Sequence, residues 1–244
     1  MKKTVIATAL LAVVGVASAF DSVGETTKSF LNVGGSTFAD THFHGPNGAP
    51  GVGFADYVIS LSSISFSALQ VGSESGFNRY QLLGYTHPGV DGIENYNFNW
   101  AQVPTGNQEV YFGLVTNTDS SDTAAFYVGD RTGWAIPTSN TSYTTVALVE
   151  TTGNGSSPAV LQGTLNLVNG NLNTAGAGLT DGTNTLVINT AVNAGAGTFS
   201  GTSAYNSDSG TASGAFFGSG SSSAVAGVAD GGSAYQAAFG GIAQ

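Results

Sequence analysis

Leu165-Asn166-Leu167-Val168-Asn169-Gly170-Asn171 and Ala229-Asp230-Gly231-Gly232-Ser233-Ala234-Tyr235-Gln236-Ala237-Ala238-Phe239 carry the pattern that decides the fold class of this chain. Leu165 and Leu167 alternate with polar neighbours, as do Leu186 and Ile188, and Tyr235, Ala237 and Phe239 occupy every second position. A period of two places one apolar face on an extended strand. The glycine-containing breaks Val168-Asn169-Gly170-Asn171, Thr180-Asp181-Gly182 and Ala229-Asp230-Gly231-Gly232 are turn signals, because glycine takes positive φ without steric cost.

Working outward, the second part of the chain divides into strands at near-regular spacing: Tyr143 to Glu150, Ala159 to Val168, Asn184 to Val192, Gly197 to Tyr205, Thr211 to Phe217, Ser221 to Ala229 and Ala234 to Ile242. Seven or eight short antiparallel strands in this space fit a small closed barrel, which leaves no free sheet edge. The small residues Gly214, Ala215, Gly227 and Gly240 are expected to let its interior taper. An outer-membrane barrel would carry aromatic girdles and an apolar outer band. These strands are read as facing outward with Ser, Thr, Ala and Asn, so the barrel is not read as membrane-spanning. No stretch elsewhere shows a sustained helical period with caps, and the whole chain reads as all-β.

The sequence texture changes near residue 140. Before it lie all three histidines, both tryptophans and five of the six prolines; after it come mainly Gly, Ala, Ser, Thr and Asn with scattered hydrophobics. Residues 1–19 have the grammar of a cleavable signal peptide: Lys2 and Lys3, an apolar run from Val5 to Val16, and Ala17-Ser18-Ala19 before the cut. The chain has no cysteine, so it has neither disulfides nor an acylation site, and the reading is of a secreted protein without a lipid anchor. Removing Lys2 and Lys3 takes the formal net charge from −10 to −12, leaving Lys28, Arg79 and Arg131 as the only Lys or Arg residues. Such a surface repels phosphate backbones and excludes nucleic acid as a partner class.

Chemistry-bearing residues concentrate in Thr41-His42-Phe43-His44-Gly45-Pro46-Asn47-Gly48 and Gly84-Tyr85-Thr86-His87-Pro88-Gly89. Glycine and proline next to the imidazoles place them at loop edges, where ligands reach them. Three readings stand side by side. The histidines serve no ligand; or they bind haem iron; or His42, His44 and His87 form a three-histidine zinc site with an open fourth position. On an extended strand His42 and His44 point to the same side, so in the haem reading one axial ligand comes from this pair, with His44 preferred, and the other is His87. Phe43, Phe54, Tyr57, Val58, Phe77, Leu82, Leu83 and Tyr85 are the apolar wall candidates, and Arg79 and Lys28 the propionate partners. Asp91 with Glu94, or Asp119 with Asp122, could be paired carboxylates but read better as turn residues. No nucleophile elbow, catalytic triad or phosphate loop is present.

Gly197-Thr198-Phe199-Ser200-Gly201, Ser213-Gly214-Ala215-Phe216-Phe217-Gly218 and Gln236-Ala237-Ala238-Phe239-Gly240-Gly241-Ile242 resemble the small eight-stranded barrel of transferrin-binding-protein-type surface proteins. Such chains are exported by Slam translocons. The part containing His42-Phe43-His44-Gly45-Pro46 and Tyr85-Thr86-His87-Pro88 resembles the hemophilin family of secreted haem-binding proteins. The resemblance implies a β-rich ligand-binding handle over 20–140 and a C-terminal eight-stranded antiparallel barrel over 141–244 that supports export and receptor recognition. It also favours haem over zinc. The resulting expectation is a hemophore, not an enzyme, that captures haem b through His44 and His87. His42, Phe43, Tyr85, Leu83 and Phe54 surround the haem, which is delivered to an outer-membrane haem receptor. The alternatives are a zinc enzyme built on the three histidines and a host-protein-binding surface module anchored by Trp100 or Trp134.

Overall fold

The computed structural model describes residues 20–37, 46–54, 57–86, 95–106 and 108–244. The all-β expectation is met. The N-terminal strands are β1 (Ser22–Thr26), β2 (Asn32–Gly35), β3 (Pro50–Phe54), β4 (Tyr57–Ser60), β5 (Gln70–Glu74), β6 (Phe77–Tyr85), β7 (Tyr96–Gln102), β8 (Val110–Asn117) and β9 (Asp122–Asp130), with the one-turn helix α1 (Leu61–Ile64) after β4. They are followed by β10 (Thr141–Glu150), β11 (Ala159–Val168), β12 (Asn171–Thr174), β13 (Leu179–Thr180), β14 (Thr185–Asn193), β15 (Thr198–Tyr205), β16 (Asp208–Phe217), β17 (Ala224–Asp230) and β18 (Gln236–Ala243).

Strands β10–β18 form an eight-stranded antiparallel barrel, closed where β10 pairs with β11 as well as with β18. Eight positions hold nine strands because β12 and β13 occupy one position in succession, each pairing with β11 and β14. The sequence reading had no strand there, since crowded Asn-Gly and Asp-Gly signals mask two short extended pieces. The Val168–Asn171 turn forms as read, with Asn169 at φ 51° and Gly170 at φ 76°.

Alternation sorts the barrel side chains. Tyr143, Leu161, Leu165, Leu186, Ile188, Phe199, Phe216 and Phe239 fill the interior as a buried core. Gly214 and Gly227, paired across β16 and β17, make room for it: a Cβ on Gly214 would lie 2.3 Å from the Phe199 ring, and one on Gly227 2.5 Å from the Phe239 ring. Ala215 and Gly240 do not belong to this interior, contrary to the sequence reading. Both face outward, because they are one residue out of phase with Phe216 and Phe239.

Outward-facing side chains of β10 and β16–β18, including Val146, Leu148, Phe217, Ala226 and Val228, are apolar rather than polar. They are covered by one face of a six-stranded sheet in the order β1-β9-β8-β7-β6-β5, through Phe77, Val110, Phe112, Leu114 and Tyr127. Here each layer offers glycine to the other's ring. A Cβ on Gly240 would lie 2.5 Å from Phe112, and one on Gly129 2.7 Å from Phe217. Away from this contact the barrel exterior shows Asn189, Ser200 and Thr202 to solvent, as read.

The opposite face of the six-stranded sheet carries Tyr80, Tyr96, Phe98, Trp100, Tyr111, Phe126 and Val128, and is roofed by α1 and the three-stranded sheet β2-β3-β4 through Leu31, Val52 and Leu61. Polar ties lock the layers at two further points. Glu150, buried, accepts from the backbone amides of Thr151, Thr152, Gly153 and Gly155, and the loop so shaped offers its Asn154, Gly155 and Ser156 carbonyls to Asn97, Asn99 and Gln81. Arg131 donates to the carbonyls of Phe216, Ala196 and Gly197 and stacks 4.0 Å over Trp134. Gly214→Val should overpack the barrel interior and lower the unfolding free energy by about 1–3 kcal/mol. The check is the urea midpoint at unchanged slope, and an unaltered midpoint would contradict the packing of Phe199 over Gly214.

Candidate functional site

One end of the roofed face gathers aromatic side chains. The register pairs Tyr85 with Tyr96 where β6 and β7 end, and Phe54 with Tyr57 at the tip of the β3–β4 hairpin. The Phe54 ring lies 4.4 Å from Tyr96 and 5.8 Å from Phe98, Tyr85 meets Phe98 edge-on at 5.8 Å, and Phe30 is 6.0 Å from Tyr96. Tyr96 and Phe98 are buried, Phe54, Leu82 and Tyr85 are partly buried, and Tyr57 at the hairpin tip is 47% exposed, as is Leu83 in the β6 irregularity between Leu82 and Tyr85. Such a graded cluster offers a flat apolar ligand an aromatic surface already held in place. Burial pushes the Tyr85 phenol above its ordinary pKa.

His42, Phe43, His44 and His87 lie outside the described residues, as do Asp91 and Glu94. The residues that flank them are anchored. The Thr37 amide donates to the Val58 carbonyl at 3.0 Å, beside Tyr57, and the Ser36 hydroxyl donates to the Pro46 carbonyl at 2.6 Å. The Asn95 carbonyl accepts from the amide and hydroxyl of Thr118. Thus both histidine-bearing segments start from backbone next to the aromatic cluster, one at Thr37 and the other just after Tyr85.

Several other sequence candidates are redistributed. Phe77 is fully buried against the barrel, on the other face of the sheet from Phe54 and Tyr85, so it cannot wall the same ligand. Arg79 shares that barrel-facing side and pairs with Glu74 at 3.1 Å, while Lys28 pairs with Asp122 at 3.3 Å. Neither stands over the aromatic cluster as a propionate partner. Asp122 is thereby an ion-pair member, and Asp119 accepts from Asn95, which fits their reading as turn residues. Trp100 is 1% exposed, stacks on Tyr80 and donates to Ser65, so it is core and not a docking anchor; Trp134 is held by Arg131. Phe66 and Val71 are exposed apolar residues that the sequence did not mark. No periodicity marks them, because each sits at an irregular edge, one in the turn after α1 and one at the bulge of β5. Among the described residues no group of three His, Asp or Glu side chains is placed to hold a metal ion.

Glu109 fixes the roof from below. Its carboxyl bonds Ser62 of α1, faces Tyr111 from the sheet and Asp130 from β9, and leaves Oε2 buried without a hydrogen-bond partner among the described residues. Burial, and then Asp130, push its pKa up from the usual 4.5, outweighing the Ser62 hydroxyl. The folded state therefore holds this proton more tightly than the unfolded state, and stability is lost as pH rises from 4.5 through the raised value. Glu109→Gln should raise the urea midpoint at pH 8, leave it nearly unchanged at pH 4, and flatten the slope between. Equal pH profiles for the two proteins would refute the burial of this carboxyl.

No protein-family model matches the chain, and no curated protein matches it in sequence. Solved structures do match it in fold. The apo haemoglobin receptor HpuA from Kingella denitrificans superposes with a TM-score of 0.56 at 17% identity, over 94% of this chain and 88% of that one. HpuA from the same organism in complex with human haemoglobin gives 0.55 at 15% identity, over 93% and 89%. A transferrin binding protein B mutant from Haemophilus parasuis Hp5 gives 0.43 at 21% identity, covering 72% of this chain and 38% of that one. This chain shares the overall fold of HpuA along nearly its whole length. None of the described helices is long and apolar enough to cross a membrane.

Proposed function

We propose that this chain is a haem-capturing protein of iron acquisition and not an enzyme. It takes haem at the aromatic end of the roofed sheet, between Phe54, Tyr57, Leu83 and Tyr85, with His44 and His87 as axial ligands and His42 and Phe43 alongside. The observation that carries this reading is the whole-length fold similarity to HpuA, a protein described in complex with human haemoglobin. An aromatic cluster bordered by the anchored ends of both histidine-bearing segments agrees with it. Burial of the porphyrin face would supply most of the affinity, and ligation would fix its orientation. In this reading the signal peptide and a Slam translocon export the chain, and an outer-membrane receptor accepts the haem.

A second reading is favoured by the same neighbour: the ligand is host haemoglobin itself, contacted through exposed Tyr57, Phe66 and Leu83. Optical titration of residues 20–244 with ferric haem separates the two. Haem capture requires a saturable, red-shifted Soret band at one haem per chain, lost in the His44→Ala/His87→Ala double variant. If the spectrum does not change while immobilised haemoglobin retains the protein, the second reading holds. Absence of both responses would sink the proposal.

A further inference from the structure

The alternation that turns Tyr80 and Leu82 toward the roof turns Arg79 and Gln81 toward the barrel. There Arg79 lines a cleft of about 190 Å³ between the β5–β7 edge and the β10–β11 loop, with Val71, Leu148, Ser157 and Pro158 among its walls. Its guanidinium lies across Gly72, where a Cβ would come within 2.8 Å of Nη2. Nη2 is tied to Glu74, but Nε is buried with no hydrogen-bond partner among the described residues. The other buried side-chain atoms in that condition are oxygens, of Gln108 and Glu109. Neighbouring Gln81 has its amide committed to Asn99 and Ser156. Arg131, the other guanidinium, is spent on barrel carbonyls. A buried guanidinium donor left unpaired is costly, and an acceptor arriving from outside relieves that cost.

We propose that this cleft binds a carboxylate, with an oxygen accepting from Arg79 Nε and the rest of the anion against Val71, Ser157 and Pro158. A monoanion fits better than phosphate, since Glu74 beside the guanidinium and the acidic chain as a whole repel a dianion. The cleft lies on the opposite face of the sheet from the aromatic cluster, so it stands independently of the haem reading. The carboxylate could be a free aliphatic acid or a glutamate side chain of a protein partner, and the test distinguishes them.

The chain from residue 20 onward contains two arginines, so its proton–nitrogen NMR spectrum carries two Nε–H signals. Sodium butyrate, titrated against sodium chloride at constant ionic strength, and a blocked Ala-Glu-Ala peptide are the probes. Arg79 Nε–H and the Gln81 amide should shift saturably while Arg131 Nε–H stays in place. Arg79→Lys, which keeps the charge but removes this donor, should abolish the Gln81 response. Saturation with butyrate assigns the site to a free acid, and saturation with the peptide alone assigns it to a partner's side chain. No saturable shift with either probe, or a response that survives in Arg79→Lys, overturns the proposal. Should that variant not fold, the titration of the unmodified chain decides by itself.

Discussion

Reciprocal packing of Phe112 over Gly240 and Phe217 over Gly129 is the constraint on which the rest of the structure depends. Each ring comes from one layer and each glycine from the other, so the barrel and the six-stranded sheet approach more closely than side chains beyond glycine would permit. Around these contacts Val110, Leu114, Val146, Leu148 and Val228 form a continuous apolar seam. Burial of that seam makes the two layers a single packed body, and the Glu150-shaped loop and the Arg131 clamp add directional ties to it.

A rigid base of this kind has a consequence for the other face of the same sheet. Strands β6 to β9 are held from the barrel side, so their opposite side chains form a fixed platform under the roof. Tyr80, Trp100 and Tyr111 fill its middle, while Phe54, Tyr85, Tyr96 and Phe98 finish one end with partly open rings. A sheet two side chains thick thus separates two environments. On one side lies the aromatic end; on the other lies the Arg79 cleft. One offers flat apolar surface, and the other a cationic donor with no hydrogen-bond partner among the described residues.

Local pattern alone makes the barrel legible. The alternation Leu165/Leu167, Leu186/Ile188 and Tyr235/Ala237/Phe239 and the Asn169-Gly170 turn act over a few residues, and all seven expected strands form, with ends shifted by up to three residues. Short-range pattern fails for β12 and β13, where four and two residues are extended only because β11 and β14 flank them on both sides. It also fails to say which way a small residue faces. Gly214 and Gly240 look alike in sequence, yet one admits Phe199 inside the barrel and the other admits Phe112 from outside. Phe77 and Tyr85 are equally plausible ligand walls by residue type, and only the sheet's two-sided burial sends one to the barrel and the other to the open end.

What the sequence determined by itself is the all-β class, the barrel strands and their turns, because these follow from side-chain period and from the backbone freedom of glycine, both local properties. Only the tertiary structure decided which apolar outer face of the barrel is covered, which aromatic residues remain accessible, and that Arg79 keeps a buried donor with no partner among the described residues. Those outcomes depend on contacts between residues far apart in the chain, such as Phe112 with Gly240 and Gln81 with Ser156, whose pairing no local period encodes.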